Sequence, residues 1–201
     1  MTEKQTLRMI LSLEQLPAFF PLLQQGVWLR AQIGCSVMSL LADQFGVAEN
    51  YVIERITTLF LDGKAIDDPE TSYVKDGSTV ALSSAMPGLV GATMRRGGHL
   101  AAMRGAITYQ SQQQQESGAG SIKIKLFNMV MAELGATFLA QGICISSEEL
   151  VRFLDEQNEV FWQSFGAAIL DGRQIDPANL KRHACLPELT GEVQLMVEFN
   201  C

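Results

Sequence analysis

Apolar and polar side chains alternate over residues 7–13 and 27–33, which predicts two strands because neighbouring strand residues point to opposite faces. Between them, Pro17 and Pro21 discourage strand pairing. The period then lengthens. Val37, Leu40, Leu41 and Phe45 share one helical face after Ser36, a residue type that caps helix starts, and Gly46 is placed to end the helix. Residues 51–61 are β-branched and aromatic and predict a strand. That strand runs into Asp62-Gly63, a tight-turn dipeptide, and out through Ala65 and Ile66. Lys75-Asp76-Gly77 marks another turn, and residues 79–82 form a last strand.

The second half reads in the same order. Residues 122–131 and 137–145 are expected to be strands, followed by a helix that starts at Ser146 or Ser147. Glu149 lies three residues after Ser146, a capping-box spacing, and Leu150, Val151, Phe153 and Leu154 supply the apolar face. Residues 165–170 then lead into Asp171-Gly172, and Val193, Leu195, Val197 and Phe199 alternate in a closing strand.

The two halves share words as well as order. Leu61-Asp62-Gly63-Lys64-Ala65-Ile66-Asp67 matches Leu170-Asp171-Gly172-Arg173-Gln174-Ile175-Asp176, and Ala31-Gln32-Ile33-Gly34-Cys35-Ser36 matches the stretch from Ala140 to Ser146 at nearly the same separation. Downstream, residues 75–82 parallel residues 189–196, with Thr79 to Leu82 set against the start of the closing strand. Repetition at a fixed offset points to a small folding plan written twice. The polar run at residues 111–120, rich in Gln with Ser and Gly, is expected to link the copies, a hairpin tip being its alternative. The reading is α+β, with domains at 1–91 and 121–201 joined by a connector at 92–120.

The run Leu59-Phe60-Leu61-Asp62-Gly63-Lys64-Ala65-Ile66, followed by Lys75-Asp76-Gly77-Ser78-Thr79-Val80-Ala81-Leu82, resembles the later strands of ubiquitin-like β-grasp domains. It is most similar to the sulfur-carrier branch, which includes the small subunit of molybdopterin synthase and the thiamin sulfur carrier. The likeness covers residues 36–91 well and 146–199 weakly. It implies two β-grasp repeats (ββαββ) joined by a Gly/Arg and Gln-rich connector. Carriers of that branch act through a terminal Gly-Gly, whereas this chain ends Glu198-Phe199-Asn200-Cys201. Arg95-Arg96-Gly97-Gly98 resembles a ubiquitin-type ending, so a carrier role requires cleavage after Gly98.

Composition narrows the chemistry. With 47% hydrophobic and 18% charged residues the chain can bury a core. The net charge of -7 disfavours attraction of the whole surface to nucleic acid or anionic membrane. No stretch reaches the roughly 18 apolar residues of a membrane span, and the start lacks a basic leader. Cys35, Cys144, Cys185 and Cys201 are widely spaced and form no CxxC pair, which suits reduced thiols and a cytoplasmic location. His99 and His183 lack metal-ligand spacing, and no nucleophile motif surrounds a Ser or Cys, so no metal, cofactor or catalytic residue is expected. Trp28, Trp162, Phe19 and Phe20 are expected in cores or between domains.

One segment stands apart. Residues 77–115 contain no Asp or Glu but carry Arg95, Arg96 and Arg104 among glycines at 77, 88, 91, 97, 98 and 105. Arg95, Arg96, Gly97, Gly98 and Arg104 are therefore the candidate partner or anion site, since guanidinium forks and bare amides suit phosphate or carboxylate. The plainer reading is a connecting loop with a short helix over residues 99–107, packed through Leu100, Met103 and Ile107. The functional expectation is a non-catalytic protein-binding or adaptor module whose partner is another protein, through sheet faces or strand edges. Assembly with copies of itself is compatible with this. A processed sulfur carrier and a binder of a small anionic ligand are the alternatives.

Overall fold

The computed structural model describes residues 5–86, 88–101, 103–104, 108–109, 117–182 and 191–200. Its strands are β1 (Gln5–Ser12), β2 (Val27–Ile33), β3 (Thr58–Leu61), β4 (Lys64–Ala65), β5 (Thr79–Ser83), β6 (Gly118–Phe127), β7 (Ile143–Ser146), β8 (Phe165–Leu170), β9 (Arg173–Ile175) and β10 (Glu192–Asn200). Helices between them make the chain α+β. The chain divides into a continuous unit, Leu22–Leu134, and a discontinuous one made of Met1–Pro21 with Gly135–Cys201.

This division differs from the expected boundaries at residues 91 and 121. In the continuous unit the strand order is β4-β3-β5-β6-β2, with β5 and β6 parallel and the other neighbours antiparallel. In the discontinuous unit it is β7-β10-β1-β8-β9, with β1 parallel to β10 over eight register positions from Gln5↔Val193 to Ser12↔Asn200. Each half of the chain thus lends a strand to the unit built mainly from the other. β1 and β2 form as strands but do not pair with each other.

The turns explain why each sheet has its register. Asp62 and Gly63 sit at φ 51° and 78°, and Asp171 and Gly172 at φ 47° and 78°. Two successive left-handed residues make the tight hairpin turn whose twist suits flanking strands, and Asp and Gly are the types that tolerate it. Each Asp also grips the strand beyond its own hairpin. The Thr79 N–H donates to Asp62 Oδ1 at 2.7 Å, and the Asp62 N–H donates to the Thr79 carbonyl at 2.9 Å. The Thr6 N–H donates to Asp171 Oδ1 at 2.7 Å, and the Asp171 N–H to the Thr6 carbonyl at 2.9 Å. The partner that corresponds to Thr79 is therefore Thr6, in β1, and not a residue of the closing strand as the aligned sequences suggested.

Helix starts follow local chemistry. The Ser36 hydroxyl accepts from the Ser39 N–H at 3.1 Å, and Val37, Leu40, Leu41 and Phe45 are all buried as their spacing predicts. Ser146 and Glu149 form the expected capping box on the Ser147–Asp155 helix. Three expectations give way. Residues 51–61 divide into a Glu49–Glu54 helix and β3; Val52 and Ile56 are buried at a four-residue spacing while Ile53 faces out, so the period here is helical. Residues 128–140 leave the strand at Asn128, which adopts a positive φ of 56°, and form the Met129–Ala140 helix. That helix is apolar or small on nearly every side, which hid its period. Finally, Gly118–Gly120 of the expected linker are the first residues of β6, paired with Ala31–Ile33; residues 111–116 of that linker lie outside the described set.

The core of the continuous unit gathers Leu59, Leu61, Val80, Leu82, Ile122, Ile124 and Leu126 from one sheet face. In the discontinuous unit Leu7, Met9 and Leu11 of β1 are fully buried or nearly so. Phe19 is buried among Phe153, Phe161 and Phe199, with ring centroids 4.8, 6.2 and 5.9 Å away. Trp162 stacks on Phe165 in the same unit. Removing either Asp clamp leaves an amide without its acceptor and a less tolerant residue in a left-handed turn. Asp62→Ala and Asp171→Ala should each lower unfolding free energy by about 1–2 kcal/mol, measured by urea denaturation, while Asp62→Asn and Asp171→Asn lose less.

Candidate functional site

The outer face of the continuous sheet carries a trough whose shape follows from residue size. The outward residues of β5 are Thr79, Ala81 and Ser83, all small, whereas Phe60 stands beside them on β3 and Lys125 and Phe127 on β6. A row of small side chains between large ones leaves a cavity of about 480 Å3, whose lining also includes Gly63, Met86 and Asn128. Four residues of strand at roughly 3.3 Å each make it about 13 Å long. The lining is mainly apolar, and such concave sites are the usual seats of ligands and anchor side chains.

Local bonds fix the trough walls. The Asn128 side-chain amide donates to Ser83 Oγ at 2.9 Å and to the Ala85 carbonyl, so this end is polar but internally satisfied. A Cβ on Gly91 would lie 1.7 Å from the Met86 carbonyl oxygen, so only glycine lets the Gly88–Met94 helix approach Met86 this closely. A Cβ on Gly26 would meet Lys125 Cγ at 2.7 Å and the Lys123 stem at 3.0 Å. The two lysine stems therefore lie over the bare backbone of Gly26. Lys123 Nζ sits 5.0 Å from the ring centroid of Trp28, which is 37% exposed and so, of the two places expected for it, is not in a core.

The arginines of the acid-free segment mostly serve the chain itself. Arg104 is 3% exposed; its guanidinium donates to the Met94 carbonyl at 2.9 Å and pairs with Asp67. Arg96 donates to the carbonyls of Val52 at 2.8 Å and Ile53 at 3.0 Å, which closes the end of the Glu49–Glu54 helix. Burial draws the Arg96 guanidinium below its ordinary pKa, opposed by Asp67 and Asp68. The Gly97 N–H donates to Asp67 Oδ1 at 3.2 Å and the Gly98 N–H to the Arg95 carbonyl at 3.2 Å, so this pair lies inside a folded turn. Arg95 alone of the three is exposed. Met103 is 72% exposed and does not pack as expected, and Ile107 lies outside the described residues. Sequence could show these charges but not the carbonyls that take them.

Tyr51, Arg55, Glu133 and Cys35, outside the trough, are held by neighbours and not poised for chemistry. The Tyr51 hydroxyl and the Arg55 guanidinium both donate to the Glu133 carboxylate. Burial and the Glu133 contact push the Tyr51 hydroxyl well above its ordinary pKa, and the two donors hold Glu133 below the usual carboxylate range. The Cys35 thiol donates to the Gln32 carbonyl at 3.3 Å and is raised by burial, away from the thiolate. Cys144 is buried. Among the described residues no three His, Cys, Asp or Glu side chains cluster as a metal site would require; His183, Cys185 and Cys201 lie outside that set. No helix among the described residues is long and apolar enough to cross a membrane. No protein-family model, curated protein or solved structure matches the chain.

Arg104→Ala removes a buried fork and should cost roughly 3 kcal/mol of stability, against less than about 0.5 kcal/mol for Arg95→Ala; thermal and urea unfolding compare the two. The depressed Glu133 pKa gives a second expectation. Its contribution is present above the unfolded value of roughly 4.3 and fades as pH falls through the lower folded value. Glu133→Gln should therefore flatten the acid limb of the stability profile below about pH 5 and, by easing the upward push on Tyr51, also soften the loss of stability as pH rises past the ordinary tyrosine value of about 10.

Proposed function

We propose that the chain is a non-catalytic protein-binding module that engages its partner on the outer face of the continuous unit, with the trough between Phe60 and Phe127 as the anchor site. The observation that carries this reading is the trough itself: an apolar hollow on a sheet face, of a size to receive one or two partner side chains. The strand order around each parallel pair, and the helix that follows β2 and β7, support reading the two units as ubiquitin-like β-grasp folds in which strands have been exchanged between copies of one duplicated plan. In the cytoplasm, reduced Cys35 and Cys144 fit such a role.

The adaptor reading is checked by capturing a partner on the full chain and measuring its affinity with purified components. Filling the trough with Ala81→Arg, or removing its wall with Phe127→Ala, should weaken binding at least tenfold while the circular dichroism spectrum is unchanged. A partner held equally by wild type and both variants contradicts a trough-centred interface.

A further inference from the structure

Resting on the binding role just proposed, we infer that the partner segment seated in the trough is an apolar peptide stretch next to a carboxylate, with that carboxylate received by Lys125. Three observations converge on this chemistry. First, in a chain of net charge -7 the outer face of the continuous sheet is cationic: Arg30, Lys123 and Lys125 point outward from β2 and β6, and the outward residues of β2, β3, β5 and β6 include no Asp or Glu. Second, the acids at the turn end of these strands are already occupied. Asp62 accepts from the Thr79 N–H and, at 3.2 Å, from the Ser78 hydroxyl, while Asp76 accepts from the Ser121 N–H at 2.8 Å.

Third, neither Lys123 nor Lys125 takes part in an ion pair among the described residues. Lys123 spends its charge over Trp28, but Lys125 lies within the apolar lining itself, between Ala81 and the stem-binding Gly26. A cation partly withdrawn from water and left without a counter-charge attracts an anion more strongly than one on a solvated rim. The rest of the lining offers little to a fully polar ligand, because Asn128 and Ser83 bond to each other and to Ala85. A free phosphate would leave the Phe60 and Phe127 surfaces empty. An aliphatic or aromatic residue beside Asp, Glu or a chain terminus fills the hollow and satisfies the charge together.

Selection of a random heptapeptide phage library on the immobilised full chain tests this, run in parallel on Lys125→Gln and Lys125→Glu. Wild type should enrich aliphatic or aromatic residues adjacent to Asp or Glu, Lys125→Gln should keep the apolar positions and lose the acidic one, and Lys125→Glu should enrich Lys or Arg there. A wild-type consensus peptide should bind Lys125→Glu about tenfold more weakly by fluorescence anisotropy. Lys125→Gln retains the stem over Gly26, so its folding, checked by thermal unfolding, keeps the comparison sound. Apolar peptides with no acidic preference, or the same consensus from all three proteins, overturn the carboxylate assignment but leave the trough as an interface. Selection of no peptide that Phe127→Ala releases overturns both.

Discussion

The position of every outward side chain on β5, the strand that floors the trough, is tied to one bond pair, the clamp between Asp62 and Thr79. A strand has a side-chain period of two, so a slip of one residue would turn β5 over. Val80 and Leu82 would then face out, and Thr79, Ala81 and Ser83 would enter the core. The clamp sets Phe60 against Ala81 and so places small residues between large ones. It costs a residue at positive φ, and the Asp side chain offsets that by accepting the amide of the strand to be held. The trough is a consequence of this register, and the proposed binding role is a consequence of the trough.

The same clamp recurs at Asp171 and Thr6, and there it acts on a strand from the far end of the chain. In both units a parallel pair stands at the centre of the sheet, flanked by antiparallel neighbours. Parallel neighbours need long connections, and the chain supplies them by letting β1 and β6 cross between halves. The LDG turn therefore specifies a geometry for whichever strand arrives beside it, independent of sequence distance. Thr6 and Thr79 have the same bonds with different routes to them.

What sequence disclosed and what it withheld divide along the same line. The LDG turns, the Lys75-Asp76-Gly77 turn and the Ser36 and Ser146 caps are set by bonds within a few residues, and each was legible. Strand partners were not, because alternation of Leu7, Met9 and Leu11 fixes a face without naming a neighbour. The Met129–Ala140 helix was hidden by uniform apolarity, and the Glu49–Glu54 helix by β-branched residues that tertiary burial overrode. Of the candidate site, the arginines were visible as charge, but Arg96 and Arg104 are consumed by Val52, Ile53, Met94 and Asp67. The trough left a faint signal in Thr79, Ala81 and Ser83, which share one face of β5 and are all small; its walls on β3 and β6 needed the pairing to be seen.

Thiol labelling tests register and accessibility together. In a background without native cysteines, Ala81→Cys and Leu82→Cys place a thiol on opposite faces of β5. Native protein should label readily at position 81, more slowly there once a partner is bound, and at position 82 only on unfolding. Equal labelling at the two positions, or faster labelling at 82, would contradict the register from which the trough and its proposed role follow.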